Sequence, residues 1–406
     1  MTGRVVQKFG GTLLREAADR QRVVETIRER RASGHQVVVV VSAMGRAGDP
    51  YATDTLLRLA HQFAERPGAR ALDFLLTAGE TISAALLAME LAEAGVAAEP
   101  YSGIDAGIVT TGEFGRAAIV RVEAAALERA CEAGVVPVVT GFQGGTDDRE
   151  VTTLGRGGSD LTAVALGGAL NADAVEVVKD VNGVMSADPA IVPGARLVPA
   201  ISYEDLAVLT SMGARVVQPE AVELAARHGV NLIVRRLGAA HGTRVAQTVP
   251  RTPVVTHLDD AVLVRLRGRP GEVDLDGATE LLAAGVGHRL YVTCDAVSLT
   301  ACLRKGARPR LESVAAQLPG AEMRTPCSVV TVAGLDDRQA GEILASGRER
   351  LRADGIAVLH AHCWAMGTAF VVEPARVHQA LAHLDGLAGA LQPAPPEAED
   401  AEDGAA

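Results

Sequence analysis

The sequence predicts an α/β protein built on a parallel-rich sheet, followed by two ferredoxin-like α+β modules. Three observations carry this. Residues 4–9 read as a short strand, a charged helix follows over about 15–31, and 36–41 end in five consecutive valines. Strand, polar helix, apolar strand is the grammar of a parallel βαβ unit, and an unbroken apolar run marks a strand covered on both faces. A buried-type strand recurs at 135–142, and after a helix at 160–171 a further strand is expected at 174–180. Beyond about residue 258 the order changes to two β-α-β-β units of about 60–70 residues.

Composition narrows the function. The chain has 406 residues, 48% of them hydrophobic but only 3% aromatic, so the core must be Ala, Val and Leu. A net charge of −11 argues against non-specific nucleic-acid binding. The five cysteines (Cys131, Cys294, Cys302, Cys327, Cys363) show no C-x-x-C spacing. They read as reduced thiols of a cytoplasmic protein, and no metal centre is expected. No run of about 18 apolar residues suggests a membrane span or a secretory leader. The end, 392–406, carries Glu397, Glu399, Asp400, Glu402 and Asp403 without a base and reads as a disordered acidic tail.

The first strand ends in Lys8-Phe9-Gly10-Gly11-Thr12 and the second in Ser42-Ala43-Met44-Gly45. In open parallel sheets ligands gather at the carboxyl ends of strands, which is where both motifs fall. After a turn-rich loop at 45–53, a helix is expected over 54–64. Another helix runs from about 80 to 94, with Glu80 at its start. Strands follow at 96–101 and 107–111. Thr152–Asp160 reads TTLGRGGSD. Its adjacent glycines admit close approach of backbone N–H groups to an anion, Arg156 offers a planar fork, and Ser159 or Asp160 suits a helix N-cap. The plain alternative is a Gly-rich turn before a surface helix. Residues 181–184 (VNGV) give a hairpin-like turn signal. Helices are expected at 203–211 and 214–228, a strand at 230–235, and a linker at 238–251. In the last part, strands are expected at 261–267, 288–294, 297–303, 328–334, 356–362 and 369–372. Helices are expected there at 275–284, 338–353 and 375–384.

Lys8 with Gly10 and Gly11, Ser42, and Arg156 with Gly157 and Gly158 together suggest a site for two anions on one sheet edge. G-x-x-x-x-G-K-[ST] is absent, and no G-x-G-x-x-G follows the first strand, so neither a P-loop nor a dinucleotide fold is supported. The motifs KFGGT at 8–12, SAMG at 42–45, LTAGE at 76–80, VTGFQG at 139–144, TTLGRGGSD at 152–160, DVNGV at 180–184 and GARV at 213–216 succeed one another as in aspartate kinases. The chain resembles that family from about residue 4 to 245.

The resemblance implies an amino-acid-kinase fold, a parallel-rich sheet sandwiched by helices, with paired ACT modules behind it. It places the catalytic domain at 1–245 and the modules at 258–320 and 326–391. It implies transfer of a phosphoryl group from ATP to the side chain of L-aspartate, with Mg²⁺ bridging the phosphates, in a homo-oligomer paired through the ACT modules. Lys8, Arg156 and Asp160 would be catalytic. Lys8, Gly10, Gly11, Ser42, Lys179, Asp180, Val184, Ser186, Asp188, Pro189 and Arg215 would line the ATP side. Thr53, Asp54, Glu80, Arg156, Gly157, Gly158 and Ser159 would hold aspartate. The chain departs from the pattern at Leu13, where serine is usual, at Val178 and Lys179, where Tyr and Ser/Thr are common, and at Asn182, Ala190, Gln218 and Glu220. The first module lacks the usual asparagine-containing effector loop, which puts feedback control in doubt.

Overall fold

A computed structural model describes residues 3–214, 216–267, 289–294, 298–316 and 320–391. Contacts divide the chain into two compact units. The first takes the residues up to Met185 together with Arg196–Pro250, and the second takes Ser186–Ala195 together with the residues from Arg251 on.

The first unit begins with β1 (Arg4–Phe9), α1 (Gly11–Arg15), α2 (Ala17–Ala32) and β2 (Gln36–Val41). The charged helix thus starts earlier than its sequence suggests, as two pieces broken at Glu16, which is extended. Then come α3 (Thr53–Phe63), α4 (Ala69–Leu76), α5 (Ala78–Glu93), β3 (Ala98–Tyr101), β4 (Ile108–Thr110) and β5 (Ile119–Val122). They are followed by α6 (Ala125–Glu132), β6 (Val136–Thr140), β7 (Gln143–Gly145), β8 (Val151–Thr153), α7 (Gly158–Ala169) and β9 (Ala174–Lys179). The unit closes with β10 (Ala200–Ser202), α8 (Tyr203–Ser211), α9 (Pro219–His228), β11 (Leu232–Arg236) and β12 (Gly242–Ala246).

Eight of these strands form one sheet in the order β10-β12-β11-β9-β1-β2-β6-β3. Every neighbouring pair is parallel except β11 with β12. Val37, Val39 and Val41 pack with Val23 and Ile27 of α2 and Leu87 and Leu91 of α5, while Val38 and Val40 are buried on the opposite face. Burying both faces is what the five-valine run encodes, at about 1.5–3 kcal/mol for each side chain fully buried. A small second sheet, β5-β4-β7-β8, carries the loops at 141–153.

One polar cluster interrupts this core. Glu176 of β9 is fully buried. It accepts hydrogen bonds from Gln7 Nε2 (2.9 Å) and from Arg235 Nη2 (2.7 Å) and Nε (3.2 Å), and it also pairs with Arg30.

Three sequence expectations are corrected here. The 238–251 stretch is not a plain linker: Gly242–Ala246 is a strand, because Gly242 lets the backbone pass Val234 O where a Cβ would stand at 2.2 Å. Residues 181–184 make no hairpin among the described residues; next to them Met185 forms an isolated antiparallel bridge with Leu197. The ninth helix starts at Pro219 rather than 214, since proline fits the first helical position. Among the described residues one helical stretch, Ala69–Glu93, is by length and composition alone apolar enough to cross a membrane. Half of its apolar window is buried, and it carries the buried carboxylates Asp73 and Glu80. It therefore reads as a core helix.

The second unit contains β13 (Val254–Arg267), β14 (Arg289–Cys294), β15 (Ser298–Arg304), α10 (Arg308–Ala315), β16 (Ala321–Ala333), α11 (Asp337–Ala353), β17 (Val358–Trp364), β18 (Gly367–Val372) and α12 (Val377–Ala390). Its strands form one antiparallel sheet, β14-β15-β13-β16-β18-β17, so the two ACT-like modules share a sheet through the long β13–β16 pair. α11 opens with a capping box between Asp336 and Gln339. Residues 186–195 add Ala187, Ile191, Val192 and Ala195 to a core that includes Val330, Ile343, Phe370 and Leu384. The expected helix at 275–284 and the tail at 392–406 lie outside the described residues.

Candidate active site

The parallel neighbours β9, β1, β2 and β6 send their carboxyl ends to one sheet edge, and glycines let the loops there touch. Gly10 caps α1 at its start. A Cβ on Gly11 would stand 2.0 Å from Ala43 O, so the first loop lies directly on the second, and Gly45 N donates to Gly11 O at 2.9 Å. A Cβ on Gly79 would lie 2.8 Å from both Ala43 Cβ and Tyr51 O, which brings the start of α5 against the same turn. A Cβ on Gly141 would lie 2.7 Å from Ser159 Oγ. No side chain but hydrogen fits at these contacts.

Charged groups fill the centre of this edge. Lys8 Nζ lies 2.7 Å from Asp160 Oδ1, and Lys179 Nζ lies 3.7 Å from Asp160 Oδ2. Their side chains are 7%, 5% and 18% exposed for Lys8, Asp160 and Lys179. Burial by itself would raise the Asp160 carboxyl, but the Lys8 and Lys179 charges outweigh it and hold the pKa below its ordinary value. Burial pulls the Lys179 ammonium down from its ordinary level, with Asp160 opposing. Asp160 sits in the first turn of α7, whose N-cap is Gly157 at φ +74°. The expected Ser159 or Asp160 cap is thus displaced, because the left-handed Gly157 starts the helix early and turns Asp160 toward Lys8.

Glu80 stands beside this cluster. Its Oε1 accepts from Ala43 N at 2.9 Å, and its buried Oε2 has no hydrogen-bond partner among the described residues. Burial pushes its pKa up to about 8, although N–H groups of Ala43 and of Glu80 itself, and the Lys8 charge, pull the other way. The sign of the consequence is fixed. Between the unfolded value near 4.5 and about 8, the folded protein holds a proton that the unfolded chain has released. Stability from this group is full below that window and declines as pH rises through it. Denaturation across pH 5 to 9 should show this decline in the ligand-free protein, and a Glu80→Gln variant should lack it.

The other predicted residues are placed as follows. Ser42 N donates to Phe9 O at 3.2 Å, next to Lys8. Ser159 and Gly158 are buried in the first turn of α7. Arg156 is 89% exposed, with Nη2 4.0 Å from Asp54 Oδ1. Thr53 and Asp54 open α3 behind an Ala52 N-cap. Asp180 is half exposed and accepts from Arg46 Nη2 at 3.1 Å. Val184 is buried, and its N–H donates to Thr243 Oγ1. Ser186, Asp188 and Pro189 belong to the 186–195 segment of the second unit. Arg215 lies outside the described residues.

Sequence reasoning missed three participants. Ala43 contributes only its N–H. Arg46 tethers the 45–53 loop to the end of β9. Asp73, fully buried, accepts from Gly115 N (2.9 Å), Thr153 N (2.8 Å) and Thr153 Oγ1 (2.8 Å), and so anchors the strand leading to the Gly-rich loop. None of the three has a sequence signature, since each acts through contacts distant in the chain. A cavity of about 840 Å³ opens at the start of β1, around Gly3, Arg4 and Asp173, and holds none of the predicted residues. A second, of about 510 Å³, lies behind the Gly-rich loop, between Arg116, Arg156, Gly157, Gln218 and Arg227.

Comparison with known proteins bears on this site. The model of the amino acid kinase family matches residues 3–236. An aspartokinase of Mycolicibacterium smegmatis is 44% identical over 261 residues, covering 64% of this chain and 60% of the relative. One from Thermus thermophilus is 36% identical over 369 residues, covering 86% of this chain and 90% of the relative. The chain thus spans less than two thirds of the length of the mycobacterial relatives it matches (60% for M. smegmatis, 54% for M. tuberculosis). Among solved structures, E. coli aspartokinase III in complex with aspartate and ADP superposes with a TM-score of 0.76 at 22% identity, covering 94% of this chain and 99% of that one. That likeness shows the fold.

Proposed function

We propose, from the premise that this chain belongs to the amino acid kinase family, that it transfers the γ-phosphoryl group of ATP to the side-chain carboxylate of L-aspartate. The observation that carries this reading is the buried group of two ammonium ions around one carboxylate, Lys8–Asp160–Lys179, at glycine-lined strand ends. Relatives named aspartokinase support it.

The chemistry suits the site. A carboxylate nucleophile is already ionised at neutral pH, so no general base is required. The obstacle is repulsion between the attacking carboxylate and the phosphates, and preorganised positive charge in a water-poor site lowers it. Lys8 faces the transferring group, and N–H groups of Gly10 and Gly11 approach phosphate oxygens. Glu80 Oε2 accepts from the substrate ammonium, a partner that none of the described residues supplies. Arg156 clamps a substrate carboxylate, with Gly157, Gly158, Ser159, Thr53 and Asp54 beside it. Ser42, Asp180 and Val184 border the nucleotide.

Mg²⁺ fits as a passenger of ATP. Among the described residues no three His, Cys, Asp or Glu side chains cluster to hold a metal ion, and magnesium needs few protein ligands when phosphates hold it. Asp180 is the exposed carboxylate on this edge that could meet its water shell. When bound, the ion neutralises phosphate charge. The cell compartment is the cytoplasm, in keeping with four free cysteines among the described residues. The ACT-like modules, at 258–320 and 326–391, pair two copies of the chain.

An ATP-dependent hydroxamate assay across amino acids tests the reading. Product is expected with L-aspartate and little with glutamate. Product with another acid but none with aspartate refutes the acceptor, and no product with any acid refutes the kinase.

A further inference from the structure

We infer that Asp73 is a positioning residue for the acceptor: it fixes the separation of Glu80 and Arg156, the two groups that hold the ammonium and a carboxylate of the substrate. This rests on the proposed function and deepens it, since Glu80 and Arg156 have those roles only in that reading.

Asp73 and Glu80 lie on one strut. α4 passes into α5 through Thr77, which is itself helical at φ −63° and ψ −18°, so that Ala69–Glu93 is one helical stretch. The hydrogen-bond ladder crosses the join, with Thr77 N donating to Asp73 O and Thr81 N to Thr77 O, both at 3.1 Å. From residue 73 to residue 80 is close to two turns, so both buried carboxylates face one side, about 10.5 Å apart along the axis.

Arg156 has no such support of its own. Its side chain is exposed, and it sits between Gly155 at φ +76° and Gly157 at φ +74°. Glycines leave the backbone free to take many courses, so the loop goes where β8 delivers it. β8 ends at Thr153, and Asp73 grips that end with both oxygens. Oδ2 accepts from Thr153 N and Gly115 N, and Oδ1 accepts from Thr153 Oγ1. The loop that carries Gly115 is bound to the same strand end, because Ala117 N donates to Thr153 O at 2.8 Å. A second tie lies alongside. Gln143 is the register partner of Thr153, and its Nε2 donates to Thr77 O at 3.2 Å. The strand pair is thus pinned to the strut at two points, which sets its angle as well as its distance. Apolar packing alone is non-directional and tolerates sliding, whereas short hydrogen bonds to one carboxylate do not.

Steady-state kinetics of the full chain, with ATP and L-aspartate varied in turn, tests this beside a destabilised control. Asp73→Ala should raise KM for aspartate at least about tenfold, because two anchors misplaced by about 1 Å no longer fit one molecule. KM for ATP should stay within about twofold of the wild type, as for loss of a contact that serves only the acceptor. Asp73→Asn should recover most of the loss, since its amide oxygen can accept from both N–H groups while its NH2 donates to Thr153 Oγ1. Glu176→Ala, which breaks a buried cluster elsewhere in the first unit, should leave KM for aspartate unchanged. Should Asp73→Ala fail to fold, Thr153→Val carries the test: it removes the hydroxyl bond to Oδ1 and should raise KM for aspartate about threefold. An unchanged KM for aspartate in the folded variants, a matching rise in KM for ATP, or the same rise in Glu176→Ala would overturn the inference and leave Asp73 a packing residue. Those outcomes leave the proposed function standing. A wild-type protein that phosphorylates no amino acid removes that function, and the inference with it.

Discussion

Lys8→Ala is expected to lower kcat by at least about 10²-fold, the usual cost of losing one preorganised charge donor at developing negative charge. Lys8 is the more closely held of the two lysines, and Gly10 and Gly11, which follow it, offer no cation in its place. The variant should stay folded. Asp160 keeps Lys179 at 3.7 Å, and the β1 backbone pairing with β2 and β9 does not depend on the side chain. Steady-state kinetics with ATP and aspartate, alongside circular dichroism and a thermal melt, checks this. Near-full activity in a folded Lys8→Ala protein would remove Lys8 from the chemistry.

The largest stability effect should come from a residue that takes no part in the reaction. Glu176→Ala leaves the buried guanidinium of Arg235 and the partly buried one of Arg30 facing each other without their shared carboxylate. Breaking a buried pair from one side costs about 3–5 kcal/mol, a large share of the roughly 5–15 kcal/mol that holds a domain folded. A clear drop in the denaturant midpoint of the first unit is expected. Glu176→Gln, which still accepts from Gln7 and Arg235, should lose less. Glu176 and Lys8 lie on neighbouring strands, but Glu176 pairs with Gln7, whose side chain points to the other face of the sheet. The protein that remains folded should therefore keep its kcat. An unchanged midpoint for Glu176→Ala would show that the cluster contributes nothing net.

Much of this architecture could be read from residue order. Strands such as Gln36–Val41 announce themselves because burial on both faces demands an unbroken apolar run, whereas Ala174–Lys179 carries Glu176 within it. Lys8, Ser42 and Arg156 could be singled out because they follow such runs into glycine turns. What could not be read is contact at a distance. That Lys8 and Lys179 share Asp160 depends on β1 and β9 being neighbours, which no local pattern records. Strands of three residues, such as Gln143–Gly145 and Val151–Thr153, are too short to show an alternation. Gly242–Ala246 looked like a linker because its glycine and histidine neighbourhood resembles a turn, whereas pairing with Leu232–Arg236 decides its conformation. The Ser159/Asp160 cap failed for a related reason: a favourable capping side chain yields when its carboxylate has a stronger claim elsewhere.

The ten residues Ser186–Ala195 matter for how the polypeptide is made. They leave the ribosome before Arg196–Pro250, yet the hydrophobic partners that shelter Ala187, Ile191 and Val192 are encoded mostly beyond residue 330. During synthesis this stretch waits, its greasy side chains uncovered, while well over a hundred further codons are translated. A gene cut back to Pro250 would yield a product in which that wait never ends, so scissors placed at the obvious boundary would not release a self-sufficient piece.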